Sequence, residues 1–242
     1  MSQTAAETDP ASVGGGDRYT FDDLAVVMGT YNEEAAIGSV LDDIDAVTDG
    51  RASVVCVDGS EDRTPEIARD HGARVIEQEP QGYGVAVRAA LLAADRPVVV
   101  TTDCDDTYPM AELPRFLDLI NDGADVVSGD RISPGAETMP ALNRAGNRAF
   151  ALLASALIGR RVRDTTTGMR AYRREVIEAI EWTENTGLSA ELLMRPVLRG
   201  YDVREVPIPY CERKGETKLD PVRGGAAIAG SIIRVGLGER SG

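Results

Sequence analysis

Short apolar runs alternate with amphipathic stretches through the first half of this chain. Residues 24–29 form an apolar run of strand length, and Ala36, Val40, Ile44 and Val47 then recur at helical spacing behind a Thr30-x-x-Glu33 pattern that resembles a capping box. A second strand is predicted at 53–57. A helix follows it, capped by Asp62 or Thr64 and carrying Pro65 in its first turn. Strand 74–77, a Gly82-Tyr83-Gly84 loop, helix 85–94, strand 97–102, helix 110–120 and strand 125–127 complete the series. Strands separated by helices predict parallel βαβ units with right-handed crossovers, an α/β fold with a mostly parallel central sheet flanked by helices. The second half is less regular. A helix is predicted at 142–158, with Leu142, Ala145, Ala149, Leu152 and Ala156 on one apolar face and Arg144 and Arg148 four residues apart. A short strand at 169–173, a helix at 189–199 and an extended edge segment at 203–210, held by Pro207 and Pro209, follow.

Three polar clusters fall at predicted strand ends: Thr30-Tyr31-Asn32-Glu33, Asp58-Gly59-Ser60-Glu61-Asp62 and Asp103-Cys104-Asp105-Asp106. Ligands in parallel sheets gather beyond the carboxyl ends of the strands, so three such clusters in register point to one nucleotide-type pocket. Alternate residues of a strand share a face, which lets Asp103 and Asp105 point at one spot. Two such carboxylates make a hard oxygen site for Mg²⁺ or Mn²⁺ carrying a diphosphate. The same pattern also fits a strand end capped by turn-forming aspartates.

Composition narrows the classes. A chain of 242 residues can bury a full core. No internal repeat appears, and no linker follows residue 20. The expectation is a disordered lead over 1–20 and a single domain over 21–242. The first seventeen residues lack the basic-then-apolar order of a secretory signal, and no run of eighteen apolar residues is present to span a bilayer. The net charge of −14 and pI of 4.6 disfavour nucleic acid as a partner. Lys214 and Lys218 are the only lysines, and an acidic, lysine-poor surface points to adaptation to high salt, where screening makes self-repulsion tolerable. Cys56, Cys104 and Cys211 have no metal-ligand spacing and fit a reducing cytoplasm. His71, the lone histidine, sits near a helix end and reads as a surface residue.

Taken in order, the motifs resemble family-2 inverting glycosyltransferases of the GT-A fold, and more narrowly the dolichyl-phosphate mannose and glucose synthase group. The carrying residues run from Val26 to about Leu219. Beyond the three clusters they include Gly82-Tyr83-Gly84-x-Ala86, Gly129-Asp130-Arg131, Asp164-Thr165-x-Thr167-Gly168-Met169-Arg170, Glu191 and Arg213-Lys214-Gly215-Glu216-Thr217-Lys218. The resemblance implies a nucleotide-sugar-binding half at 21–130 and an irregular acceptor-side half at 131–242. Thr30, Tyr31, Asn32, Glu33 and Asp58 would hold the donor, and Gly82 and Gly84 would let backbone approach it. Asp103 and Asp105 would hold the metal, and Arg131, Arg170, Arg213 and Lys218 would bind phosphate groups. The chain departs from the family pattern at Val57, at Arg63 and at Asp106-Thr107-Tyr108-Pro109, which opens Asp106 to a role as an additional ligand.

The implied reaction moves a hexose from UDP-glucose or GDP-mannose to a polyprenyl phosphate. A phosphomonoester is already anionic at neutral pH, its second pKa being about 6, so that acceptor needs no strong base. A hydroxyl acceptor would need one, with Glu191 or Asp106 as candidates. Glu191 equally fits a solvated place early in a helix, and the Arg213–Lys218 cluster equally fits a solvated basic loop. A soluble or polysaccharide acceptor, or a nucleotide-sugar-binding module without turnover, remain alternatives. A lipid acceptor implies a protein peripheral to the cytoplasmic face of a membrane. Helix 142–158 with Arg144, Arg148, Arg160, Arg161 and Arg163, and the stretch 226–237, could lie on an anionic bilayer or pack on the sheet.

Overall fold

The computed structural model describes residues 18–133, 139–211 and 221–238, with side chains from 224 onward in the last segment. Residues 1–17 of the lead, and Arg213, Lys214 and Lys218, lie outside the described residues. Residues 18–20, read as the end of the lead, are tied down. The Tyr19 amide donates to Asn121 Oδ1 at 2.7 Å, and Thr20 closes a capping box with Asp23.

The strands are β1 (Leu24–Thr30), β2 (Ser53–Asp58), β3 (Arg74–Glu77), β4 (Val98–Thr101), β5 (Val126–Asp130), β6 (Arg170–Arg173) and β7 (Val203–Pro207), in the order β3-β2-β1-β4-β6-β5-β7. The helices are α1 (Ile37–Thr48), α2 (Thr64–Asp70), α3 (Tyr83–Ala93), α4 (Leu113–Asn121), α5 (Ala141–Ile158), α6 (Arg174–Ala179), α7 (Leu188–Leu198) and α8 (Pro221–Gly238). Side chains alternate across the sheet, as the two-residue period of a strand requires. Leu24, Val26 and Met28 of β1 join α1, α2 and α4 in one core layer. Ala25 and Val27 join α3, α6, α7 and parts of α5 and α8 in the other. Both faces are covered, which is why the strands read as continuous apolar runs.

The expected elements appear with small shifts. The helix expected at 110–120 starts as a 3₁₀ turn over Met110–Glu112 before α4. Thr30 and Glu33 form no capping box: Thr30 ends β1, and α1 starts after Ala36 without a side-chain cap. Asp62 is the acceptor before α2, taking the Thr64 amide at 2.9 Å. As expected, β7 is an edge strand.

One feature is not written in the alternation of strands and helices. β6 runs antiparallel to both β4 and β5, while the remaining pairs are parallel. Its first residue, Arg170, pairs with Thr101 at the end of β4. The segment entering β6 is therefore delivered to the carboxyl edge of the sheet, where the acidic loop after β4 begins.

Candidate active site

A cleft of about 920 Å³ opens beyond the carboxyl ends of β1, β2 and β4. All three polar clusters reach it, through Thr30, Tyr31 and Glu33, through Gly59, and through Asp103, Cys104 and Asp105. Its far wall comes from the second half: Arg131, the first turns of α5, the start of α7, Tyr210, and Gly225 and Ile228 of α8. The register places Thr30 beside Asp58 and Asp58 beside Glu77, so these strand tips end level with one another.

The first two clusters divide their labour. Asp58 is buried and accepts from Thr30 Oγ1 at 2.5 Å, Ser60 Oγ at 2.7 Å and the Ser60 amide at 3.0 Å. Asn32, at φ 52°, accepts the Glu61 amide at 2.9 Å, while its own amide donates to Ser60 Oγ at 2.7 Å. Neither Asp58 nor Asn32 lines the cleft. They lock the β1 and β2 corners so that Thr30, Tyr31, Glu33 and Gly59 present the surface.

The acidic loop splits in the same way. Asp103 and Asp105 line the cleft. Asp105 Oδ1 is oriented by Thr107, whose hydroxyl and amide donate at 2.6 and 3.1 Å. Asp103 Oδ1 accepts from the Tyr83 hydroxyl at 3.1 Å. On its other side stands Gly168, where an added Cβ would come within 2.7 Å of the Asp103 carboxylate. Thr101 Oγ1 holds that glycine by donating to its carbonyl at 2.6 Å. Asp106 faces elsewhere. At φ 62° the chain turns left-handed, and its carboxylate accepts from Ser39 Oγ at 3.0 and 3.1 Å beside a smaller pocket of about 280 Å³. The expectation of Asp106 as an extra ligand or base in the cleft is not met by this geometry, because the turn that ends the strand alternation aims it at α1.

Arg131 is nearly buried at the cleft edge, and its partner is Asp164. Its Nε and Nη2 donate to the two Asp164 oxygens at 2.7 and 3.0 Å, Nη1 donates to Tyr108 Oη at 3.0 Å, and Nη2 also reaches Thr166 Oγ1 at 2.9 Å. Tyr108 Oη in turn accepts the Gly168 amide at 2.6 Å, so the pair braces the segment beside Asp103. Burial pushes the Asp164 carboxyl up, but the Arg131 guanidinium and its hydrogen bonds outweigh burial and hold it below the usual carboxylate value.

Two further expectations are revised. Arg170 is fully buried, donating to Ser128 Oγ at 3.0 Å and to the Thr165 carbonyl at 3.1 Å. It begins β6 and points into the protein, away from any phosphate in the cleft. Glu191 is neither solvated nor in the cleft. At 0 % exposure it accepts from the amides of Thr183 and Glu184 and from Arg195 Nε. Of the Gly82–Gly84 turn, Gly82 lines the cleft, while Gly84 packs on the backbone of Asn185, whose carbonyl oxygen would lie 2.3 Å from a Cβ on it. The structure also adds Tyr83, Tyr108, Asp164 and Asn185 to the site. Tyr83 and Asp164 lay inside quoted motifs, but no spacing rule marks a tyrosine or an asparagine as a brace.

Other candidates stay outside the chemistry. His71 is exposed, with Nδ1 2.8 Å from the Ile67 carbonyl and Asp42 beside it. Cys56 is pushed up to about 12, first by burial and then by Asp58, and Cys104 is raised by burial and Glu33, so neither offers a thiolate at neutral pH. Among the described residues, no helix is long and apolar enough to cross a membrane.

The Arg131–Asp164 pair generates a prediction. Asp164→Asn leaves a buried guanidinium without its countercharge and should cost about 3–5 kcal/mol in chemical denaturation. A carboxyl with a lowered folded pKa stabilises fully above its unfolded value and loses that contribution as pH falls through the folded one. The wild-type chain should therefore lose stability below about pH 4, and the asparagine variant should lack that part of the acid-side decline.

Residues 25–181 match the family model described as Glycosyl transferase family 2. The "Dolichyl-phosphate hexose transferase" of Haloferax volcanii is 80% identical over 222 residues, covering 92% of this chain and 97% of that protein. Glycosyltransferase AglJ of the same organism is 36% identical over 223 residues, covering 89% and 72%. Among solved structures, glucosyl-3-phosphoglycerate synthase from Mycobacterium tuberculosis, in complex with Mn²⁺, UDP-glucose and glycerol 3-phosphate, superposes with a TM-score of 0.70 at 25% identity, covering 89% of this chain and 79% of that one. The cleft at the strand tips, the GT-A arrangement of the sheet and these matches agree: this chain belongs to glycosyl transferase family 2.

Proposed function

We propose that this glycosyltransferase moves a hexose from a nucleotide sugar to a polyprenyl phosphate, with inversion, at a membrane surface. The observation that carries the reading is the joint placement of Asp103 and Asp105 in a cleft built by three strand ends, in a chain 80% identical to a protein named for dolichyl-phosphate hexose transfer. In this reading the 21–130 half holds the donor, with Thr30, Tyr31, Glu33 and Gly59 around the nucleoside. The 131–242 half supplies the acceptor wall.

The donor set fits a divalent cation. Asp103 and Asp105 line the cleft at the tip of β4, and among the described residues no group of three or more acidic, histidine or cysteine side chains is placed to hold a metal ion. Mg²⁺ and Mn²⁺ suit such a site, because they are held by one or two carboxylates and completed by substrate phosphates and water. Mn²⁺ is named with UDP-glucose in the related synthase structure. Such an ion would act as a Lewis acid, offsetting charge on the departing diphosphate. Asp103 and Asp105 would hold it, oriented by Tyr83 and Thr107.

An acceptor phosphate oxygen forms the new bond to the anomeric carbon as the bond to the diphosphate breaks. That nucleophile is already an anion, which suits a cleft where Asp106 is turned away and Glu191 is enclosed. Two anions still need cations. Arg131 cannot supply all of this, since Asp164, Tyr108 and Thr166 take most of its donors. The segment with Arg213 and Lys218 is the second source we assign. Its described flanks meet the cleft: Tyr210 lines it, the Cys211 amide donates to the Thr107 carbonyl at 3.1 Å, and Gly225 and Ile228 of α8 line it.

The α5 stripe supports the lipid acceptor. Leu142 is 76% exposed and Leu152 72%, while Ala151 and Ala154 face the core. Leu142 also lines the cleft, so an apolar track leads away from its mouth. On α8, Ile233 and Leu237 are exposed while Ile232 and Val235 are buried. Residues 139–163 and 221–238 contain no Asp or Glu, in a chain with 40 acidic residues. A face without carboxylates is the part of an acidic protein that can approach anionic headgroups. In molar salt the Debye length shrinks to about 3 Å, so apolar insertion, worth on the order of 1.5–3 kcal/mol per buried leucine or isoleucine, must dominate over charge.

Two outcomes follow. With labelled UDP-glucose or GDP-mannose, Mn²⁺ and dolichyl phosphate, label should enter the organic phase with one donor. Asp103→Asn should cut that transfer by about 100-fold or more, the effect of losing several kcal/mol of leaving-group stabilisation. Label that stays aqueous with every donor, or undiminished transfer by the variant, rejects the reading. In flotation with phosphatidylglycerol vesicles in molar KCl, the Leu152→Asp, Ile233→Asp double variant should bind at least tenfold more weakly than wild type. Equal flotation of the two would remove this face as the membrane contact.

A further inference from the structure

Asn185 lies in the segment between α6 and α7, outside every motif that carries the family resemblance. Its side chain splints the turn that leads into α3. Nδ2 donates to the Gln81 carbonyl at 2.8 Å, and Oδ1 accepts the Gly84 amide at 2.9 Å. The fit leaves no space for a side chain at Gly82 or Gly84. A Cβ on Gly82 would lie 2.8 Å from the Asn185 amide group, and one on Gly84 would lie 2.6 Å from its Cα. Gly82 also sits at φ 103°, a conformation that glycine adopts without strain. Between the two glycines stands Tyr83, whose hydroxyl donates to Asp103 Oδ1 at 3.1 Å. About a third of Tyr83 is exposed along the cleft, and its phenol hydroxyl serves as a donor.

The segment carrying Asn185 is itself pegged. Both Glu191 oxygens accept the Thr183 amide at 3.0 Å, Oε2 also accepts the Glu184 amide at 2.9 Å, and Thr183 Oγ1 and Arg195 Nε donate to Oε1 at 3.0 and 2.7 Å. A fully buried carboxylate with this many donors is a structural anchor, and it does not line the cleft.

We propose that Asn185, held by Glu191, is a positioning residue for the metal-binding carboxylate: it fixes the Gly82–Gly84 turn so that Tyr83 holds Asp103 in one orientation. Partners of ligating carboxylates commonly set metal affinity by 10–100-fold. The inference rests on the reading of Asp103 as an ion ligand, and the experiment separates the two.

The test is Mn²⁺ retention by the full chain in the presence of UDP or GDP, read by electron paramagnetic resonance of the unbound ion. Tyr83→Phe and Asn185→Ala should each weaken retention roughly tenfold, and the double variant should be no worse than the weaker single one, because both act through one contact. Glu191→Gln should weaken retention in the same direction while the shape of the kcat–pH profile is kept. Wild-type retention by Tyr83→Phe or Asn185→Ala overturns the proposal, as does an additive double variant. Loss of a limb of the pH profile in Glu191→Gln would make Glu191 a proton-transfer group and overturn it too. Tyr83→Phe removes a single oxygen, so it decides the matter if Asn185→Ala fails to fold. Asp103→Asn is measured alongside: retention equal to wild type defeats the ligand reading itself, whereas loss there with no change in the other variants defeats the clamp alone.

Discussion

Asp103 is confined between the Tyr83 hydroxyl and Gly168, and the rest of the cleft is arranged around that confinement. A carboxylate at a strand tip has rotamer freedom that a bound ion would have to remove. Here the surrounding packing removes it in advance. Gly168 is brought close because β6 enters the sheet backwards, starting where β4 ends. It is then fixed by Thr101 from below and by Tyr108, Arg131 and Asp164 from the side. Tyr83 is fixed from the opposite direction by the splinted turn at the start of α3.

Much of this was legible in the sequence, and the limits have physical causes. Continuous Val-rich runs such as Val98–Thr101 mark strands covered on both faces, and the period-two rule correctly put Asp103 and Asp105 in one cleft. The rule stops where the strand stops. Asp106 lies in a left-handed turn, and no periodicity says where it points. The family resemblance implies Arg170 as a phosphate ligand, but an antiparallel β6 places the arginine within the sheet interior. Strand direction is a tertiary property that local pattern does not encode. Glu191 illustrates a different limit: four donor groups converge on it, three from a segment seven to eight residues away and one from the next turn of its own helix, and nothing in composition reveals such a peg. The stripe of Leu142, Ala145, Ala149, Leu152 and Ala156 was correctly seen as apolar, yet helical periodicity cannot distinguish a face turned to the core from one turned outward. Exposure of Leu142 and Leu152 decides it.

Electrostatics unify the account. At −14, the chain repels phosphate over most of its surface, so recognition of anions must be local. Carboxylates that would hold a cation gather at the strand tips. Arginines sit in two helices stripped of acid, and the two lysines lie in one short segment whose flanks meet the cleft. The composition fits a salt-adapted protein, in keeping with the Haloferax volcanii relative, and screening by salt leaves short-range contacts such as Tyr83–Asp103 in control.

The most direct measurement is an anomalous difference map from crystals grown with Mn²⁺ and the nucleoside diphosphate that the chain binds. The account predicts one ion held by Asp103 and Asp105 together with the diphosphate, with Tyr83 still bonded to Asp103. An ion seated on Asp106 or elsewhere, with the diphosphate remote from the tip of β4, would contradict it.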